Sequence, residues 1–172
     1  MNSDATPEFS RLIPLARLGA TPYRQQITAS DAERAALTRR FDLVALDRLC
    51  ATVELARQGD ELFLLQAAFE AEFVQRCVVT LDPVGGAVAA RFTLLYGPPE
   101  AEAAAEGGAA DEIAFEPLAA AAIDVGEAVA QEFSLRLPAF PRRVDAAVEV
   151  APPAPEEGAF AALSRLVERR ER

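Results

Sequence analysis

The chain of 172 residues carries 27 acidic side chains against 17 basic ones, a net charge of −10. That balance excludes broad, non-specific binding to phosphate backbones, which requires a basic surface. The absence of histidine excludes His-based triads, His metal sites and His general bases. With 51% of its residues apolar, the chain is too hydrophobic for wholesale disorder and is long enough to bury the core of one domain.

Every basic residue is an arginine, and alanine is abundant, a composition typical of GC-rich bacterial genomes. Two cysteines, Cys50 and Cys77, are too few for a secreted disulfide framework. No apolar run approaches the roughly 20 residues of a membrane span. Residues 1–7 lack the basic start and hydrophobic stretch of a signal peptide. A bacterial-type cytoplasm is the expected setting.

In chain order, residues 7–18 read as an extended edge strand, because Pro14 cannot donate to a central ladder. Tyr23 to Thr28 form a second short strand. Ser30-Asp31-Ala32-Glu33 is a capping box that starts a helix running to about Arg40. Arg39 and Arg40 suit the negative end of that helix, and with Arg34 they offer a basic spot or a solvated helix end. Leu49, Ala51, Val53 and Leu55 alternate with Cys50, Thr52 and Glu54, which predicts a strand over 45–57 turned by Gln58-Gly59-Asp60. Phe63, Leu65, Ala67, Phe69, Ala71 and Phe73 then fill one face of a strand over 61–81, with Gln66, Glu70 and Glu72 on the other. Asp82-Pro83-Val84-Gly85-Gly86 reads as the next turn. Val88, Ala90, Phe92, Leu94 and Tyr96 mark the apolar face of a third strand over 86–97. Together these form a three-stranded meander. Cys77, on the face of Phe69 and Phe73, reads as a small buried hydrophobe.

Residues 98–112 are acidic and low in complexity, which predicts a mobile surface loop. Ile113 to Pro117 form a short strand. Asp124 caps a helix carrying Val125, Ala128, Val129 and Phe133 and ending near Leu137, because Pro138 and Pro141 follow. Residues 144–158 read as a linker rich in proline, alanine and glutamate. Residues 159–172 carry Phe160, Leu163, Leu166 and Val167 at helical spacing, with Arg165, Arg169, Arg170 and Arg172 making this terminal helix locally basic. No carboxylate pair, Cys-x-x-Cys spacing, phosphate loop or stacking platform stands out. No catalytic residue, metal ligand or cofactor is therefore expected.

Three pieces in order carry a resemblance. They are Gln75-Arg76-Cys77 with Asp82-Pro83-Val84; Asp111-Glu112-Ile113 followed by Ile123-Asp124-Val125-Gly126-Glu127 and Glu132 to Pro141; and a detached Phe160 to Leu166. Over roughly Cys50 to Leu166 the chain resembles the YceD-like family, the large ribosomal RNA subunit accumulation proteins of bacteria and plastids. Many relatives carry Cys-x-x-Cys in the hairpin and more cysteines later. Here Val74 and Arg142-Arg143 stand at those places, so no metal site is carried over.

The resemblance implies a non-enzymatic factor supporting accumulation of 23S rRNA, through processing or stability, in ribosome biogenesis. A protein–protein adaptor for an assembly or RNA-processing enzyme, with no direct RNA contact, is the alternative. The implied partner is pre-ribosomal large-subunit rRNA or an assembly protein bound to it, with no membrane and no DNA. The expected fold is α+β. It has one domain over 1–143, with a curved antiparallel sheet, two or three short helices and a helical tail. Candidate interaction residues are Arg76, Asp82, Arg142 and Arg143 around the hairpin and the Leu135–Arg143 segment. In the tail they are Phe160, Leu163, Arg165, Leu166, Arg169 and Arg170.

Overall fold

A computed structural model describes residues 7–59, 61–101, 113–118 and 120–147. The predicted tail helix, most of the acidic loop and most of the linker lie outside the described residues. The elements are β1 (Leu12–Pro14), β2 (Tyr23–Thr28), α1 (Asp31–Arg40), β3 (Ala45–Gln58), β4 (Leu62–Arg76), β5 (Pro83–Gly97), β6 (Ala114–Pro117), β7 (Ala122–Asp124) and α2 (Val125–Arg136). Single 3-10 turns follow β1 and β5. The fold is α+β. Its main sheet has the order β2-β3-β4-β5-β6, and β1 pairs with β7 in a separate two-stranded sheet.

The predicted alternation decides the sheet. Phe63, Leu65, Ala67, Phe69, Ala71 and Phe73 are all buried on its inner face. Leu49, Ala51, Val53 and Leu55 sit beside them on β3, and Phe92 and Leu94 on β5. α2 closes this face. Phe133 is fully buried and meets the rings of Phe41, Phe69 and Phe73 edge-on, with centroids 5.8, 6.5 and 5.6 Å away. The opposite face stays wet, with Arg48, Glu70, Glu72 and Arg91 exposed.

Strict alternation fails at one place on β3. Leu46 and Leu49 are both buried, although three positions apart they should face opposite ways. The register slips between Leu46 and Arg48, so Asp47 is an extra residue that lets both leucines point inward.

Three expectations need correction. The N-terminal stretch is a strand only over Leu12–Pro14, and it pairs with β7 rather than edging the main sheet. The sixth strand runs parallel to β5, so the sheet is mixed and not wholly antiparallel. The hairpin turn is 77–82, not 82–86. β4 ends at Arg76, the Cys77 N–H donates to the Asp82 carbonyl at 2.8 Å, and Leu81 takes a φ of 64°. Gly85 and Gly86 lie inside β5, where Gly86 makes room for a ring. A Cβ there would stand 2.7 Å from the Phe73 side chain.

Both predicted caps form. Ser30 and Glu33 make the reciprocal capping box, and Asp124 accepts the N–H groups of Gly126 and Glu127. Each cap also reaches across the fold. Asp124 accepts the Ser10 hydroxyl and the Arg11 N–H, while the Arg11 guanidinium pairs with Glu33. That pairing, followed by the Ser30 contacts, holds the Glu33 carboxyl down to about 2. The residues before β1 are thereby stitched to both helices.

Candidate functional site

The end of the β4–β5 hairpin brings together pieces far apart in sequence. Beyond α2 the chain turns at Pro138, whose carbonyl accepts the Gln75 side-chain amide at 3.1 Å. It then runs past the hairpin loop. The Val78 N–H donates to the Pro141 carbonyl at 2.9 Å, and the Arg143 N–H reaches the Cys77 sulfur at 3.5 Å. Arg143 bonds Asp82 at 2.8 Å and clamps Asp145 with two further bonds.

Cys77 is the pin of this corner. It has no exposed surface, yet it lies outside the main core cluster. Its thiol is pulled down to about 6, first by the Thr80 hydroxyl and then by the N–H groups of Arg143, Thr80 and Val79, against burial, which raises it. The expected burial holds, but the expected role does not. Cys77 accepts the Thr80 and Arg143 N–H groups in the loop beyond β4, and it does not sit on the Phe69–Phe73 strand face. Cys50 lies on β3, away from it.

Of the sequence candidates, Asp82 and Arg143 form one ion pair at this corner. Arg76 and Arg142 are exposed beside them, without an ion-pair partner among the described residues. Arg40, by contrast, is engaged. Its guanidinium holds Glu127 and Glu8 and so ties α1 to α2 and the N-terminal segment, and Arg34 pairs with Asp31. Of the predicted basic spot, Arg34 and Arg40 are thus spent on structural ion pairs, while Arg39 is exposed. Phe160, Leu163, Arg165, Leu166, Arg169 and Arg170 lie outside the described residues.

Sequence reasoning names the Leu135–Arg143 segment as a candidate but does not single out the apolar side chains of the corner. Val78, Leu81, Phe140 and Val144 are exposed, Phe140 by 79%. Val44 is exposed where its N–H donates to the Val74 carbonyl near the end of β4, and Leu135 is exposed in the last turn of α2. Exposed apolar side chains gathered at one corner suit a contact surface. The available signal was that Val78 and Leu81 flank a turn and Phe140 stands between two prolines, places with no core to enter.

A second concavity, of about 870 Å³, lies on the wet face of the sheet. Small side chains, Cys50, Thr52, Ala68 and Ala89, form its floor, with Arg48, Glu70 and Arg91 around it. Arg48 is spent on Glu70 and Glu72. No buried polar side-chain atom among the described residues lacks a partner.

Fold and corner together define a single-domain α+β protein built on one long meander, with an exposed contact corner where the hairpin meets the post-helical segment. The family model described as "Large ribosomal RNA subunit accumulation protein YceD" matches residues 65–163, and the chain belongs to that family. The matched span holds most of β4, all of β5, α2 and the whole corner. No curated protein and no solved structure matches the chain. Among the described residues no helix is long and apolar enough to cross a membrane.

Proposed function

We propose that this protein supports accumulation of large-subunit 23S rRNA as a non-enzymatic ribosome-biogenesis factor in the cytoplasm. It acts by holding a partner at the β4–β5 corner. The observation that carries the reading is the corner itself. Within the family-matched span, exposed Val78, Leu81, Phe140 and Val144 stand beside Arg76, Arg142 and Arg143 on an otherwise acidic chain. Such a surface binds rather than reacts. Aliphatic anchors with a polar rim suit a protein surface, and a small basic fringe suits local contact with phosphate.

Depletion of the protein should lower 23S relative to 16S rRNA. A variant carrying Phe140→Asp and Arg142→Glu should fail to restore the ratio while keeping the native melting temperature. Full restoration by that variant removes the corner from the function, and an unchanged ratio on depletion removes the rRNA role.

The second reading is an adaptor that touches an assembly protein and no RNA. The net charge of −10 and the aliphatic character of the corner favour it. Recovery of partners that survives nuclease treatment selects the adaptor, and loss on nuclease treatment selects direct RNA contact. The tail residues Phe160, Leu163, Leu166, Arg165, Arg169 and Arg170 extend the proposed contact, with an apolar stripe for a groove and arginines for an acidic rim.

A further inference from the structure

β5 is fifteen residues long and pairs with β4 along its whole length, but β6 covers only Leu94–Gly97 on its other side. Residues 83–93 are thus an open edge among the described residues. The direction of the unpaired groups follows from the ladder. Cys77 and Asp82 are hydrogen-bonded across the turn, and antiparallel pairs alternate between bonded and non-bonded. Val84, Gly86, Val88 and Ala90 therefore spend their backbone groups on β4. Gly85, Ala87, Ala89 and Arg91 turn theirs outward.

Between its ends, Pro83 and Arg91, this edge carries none of the usual guards among the described residues. Natural edges are blunted by charge, proline, bulges or covering loops. Between Val84 and Ala90 there is no charge and no proline, and the β4–β5 register runs without a slip. The opposite edge, β2, carries Arg24, Gln25 and Gln26. The inner face of the β5 edge is also unfinished, since Val88 and Ala90 pack on the core but remain half-exposed.

We infer that this edge pairs with the same edge of a second copy of the chain. The two β5 strands run antiparallel about a twofold axis at Val88, and two five-stranded sheets become one. The register is self-complementary. Gly85 bonds Arg91 of the second copy and Ala87 bonds Ala89, so all four outward-facing residues are used. On the inner face Val88 meets its own equivalent, and Ala90 meets Gly86, the glycine lying over the Phe73 ring. On the wet face Arg91, which has no ion-pair partner among the described residues, passes over the bare Gly85 of the other copy. There it stands level with that copy's Val74, which sits opposite Gly85 on β4, and one step along the same face lies Glu72, opposite Ala87. Among the described residues Glu72 has only a loose ion-pair partner, Arg48 at 3.9 Å. Twofold dimers with one self-complementary patch are the commonest protein assembly. The pairing makes no use of the β4–β5 corner, so it stands whether or not the rRNA role does.

Sedimentation of the full chain tests it. The expected species has twice the 18.4 kDa chain mass. Arg91→Glu sets like charges together twice per dimer and should weaken association roughly tenfold. Adding Glu72→Arg to that variant should restore it, a rescue that a merely structural role for Arg91 would not give. Ala89→Pro deletes one outward N–H and should abolish the dimer, with circular dichroism verifying the fold. If that variant unfolds, the charge swap decides alone. A chain that stays monomeric at the highest soluble concentration overturns the proposal. So does a dimer indifferent to Arg91→Glu, because its contact lies elsewhere.

Discussion

Replacing Phe133 with alanine tests whether α2 both closes the core and positions the contact corner. The ring is fully buried against Phe41, Phe69 and Phe73. Truncating a buried phenylalanine costs about 3–5 kcal/mol. Three edge-on aromatic contacts at about 0.5–1.5 kcal/mol each account for much of that. The better helix propensity of alanine returns only about 0.5 kcal/mol. The expected loss is about 3–4 kcal/mol, a fall in melting temperature on the order of 10 °C for a chain of this size. Urea unfolding at constant m value measures it. Amide exchange should quicken at Val78 and Arg143, whose N–H groups bind the segment leaving α2 or the loop it clasps. A loss below about 1 kcal/mol would show that the sheet closes without this ring. Unchanged exchange at those two amides would show that the corner does not hang on α2.

Three further outcomes are expected. The Cys77 thiol is lowered from 9.0 to about 6 in the folded protein. The stability it adds is therefore complete above pH 9 and is lost as pH falls through about 6, so the native protein should gain stability across that window. Cys77→Ala should flatten the gain, and a profile identical to wild type would refute the anchoring role. Asp124→Ala removes a helix cap and the acceptor for Ser10 and Arg11, and should cost about 1–2 kcal/mol in chemical denaturation. Gly86→Ala presses a methyl into Phe73 and should cost about 1–3 kcal/mol, whereas Gly85→Ala, with open space around it, should be far milder.

The parts of the fold that were legible beforehand are those written in local spacing. Period-two alternation from Phe63 to Phe73 gives β4 and its buried face, and Ser30 with Glu33 and Asp124 with Glu127 give both helix starts to the residue. The errors come from contacts that spacing does not carry. Gly85-Gly86 looked like a turn because glycine has two uses, conformational freedom and absence of bulk, and only the Phe73 ring reveals which applies. Asp47 is invisible as a bulge until Leu46 and Leu49 are both seen to be buried. Cys77 looked like a hydrophobe because the residues that make it an acceptor include Arg143, 66 positions away. Half of the corner could be named in advance, Arg76, Asp82, Arg142 and Arg143. Its apolar side chains were covered only by the segment Leu135–Arg143 and not singled out, because exposure is a property of what fails to pack.

The stitching of the N-terminal segment has a consequence for synthesis. The β3–β4–β5 meander joins neighbours in sequence and can pair as soon as its third strand has emerged. Ser10 and Arg11 wait for Asp124, more than 110 residues later. At about 5–20 residues per second, the segment spends roughly 5–20 s outside the ribosome with its closing partner unmade. Its pairing with β7 and the insertion of Phe9 against α2 are then the last steps of folding. A nascent chain arrested before Asp124 should accordingly be cut by protease in its first twenty residues while the meander resists.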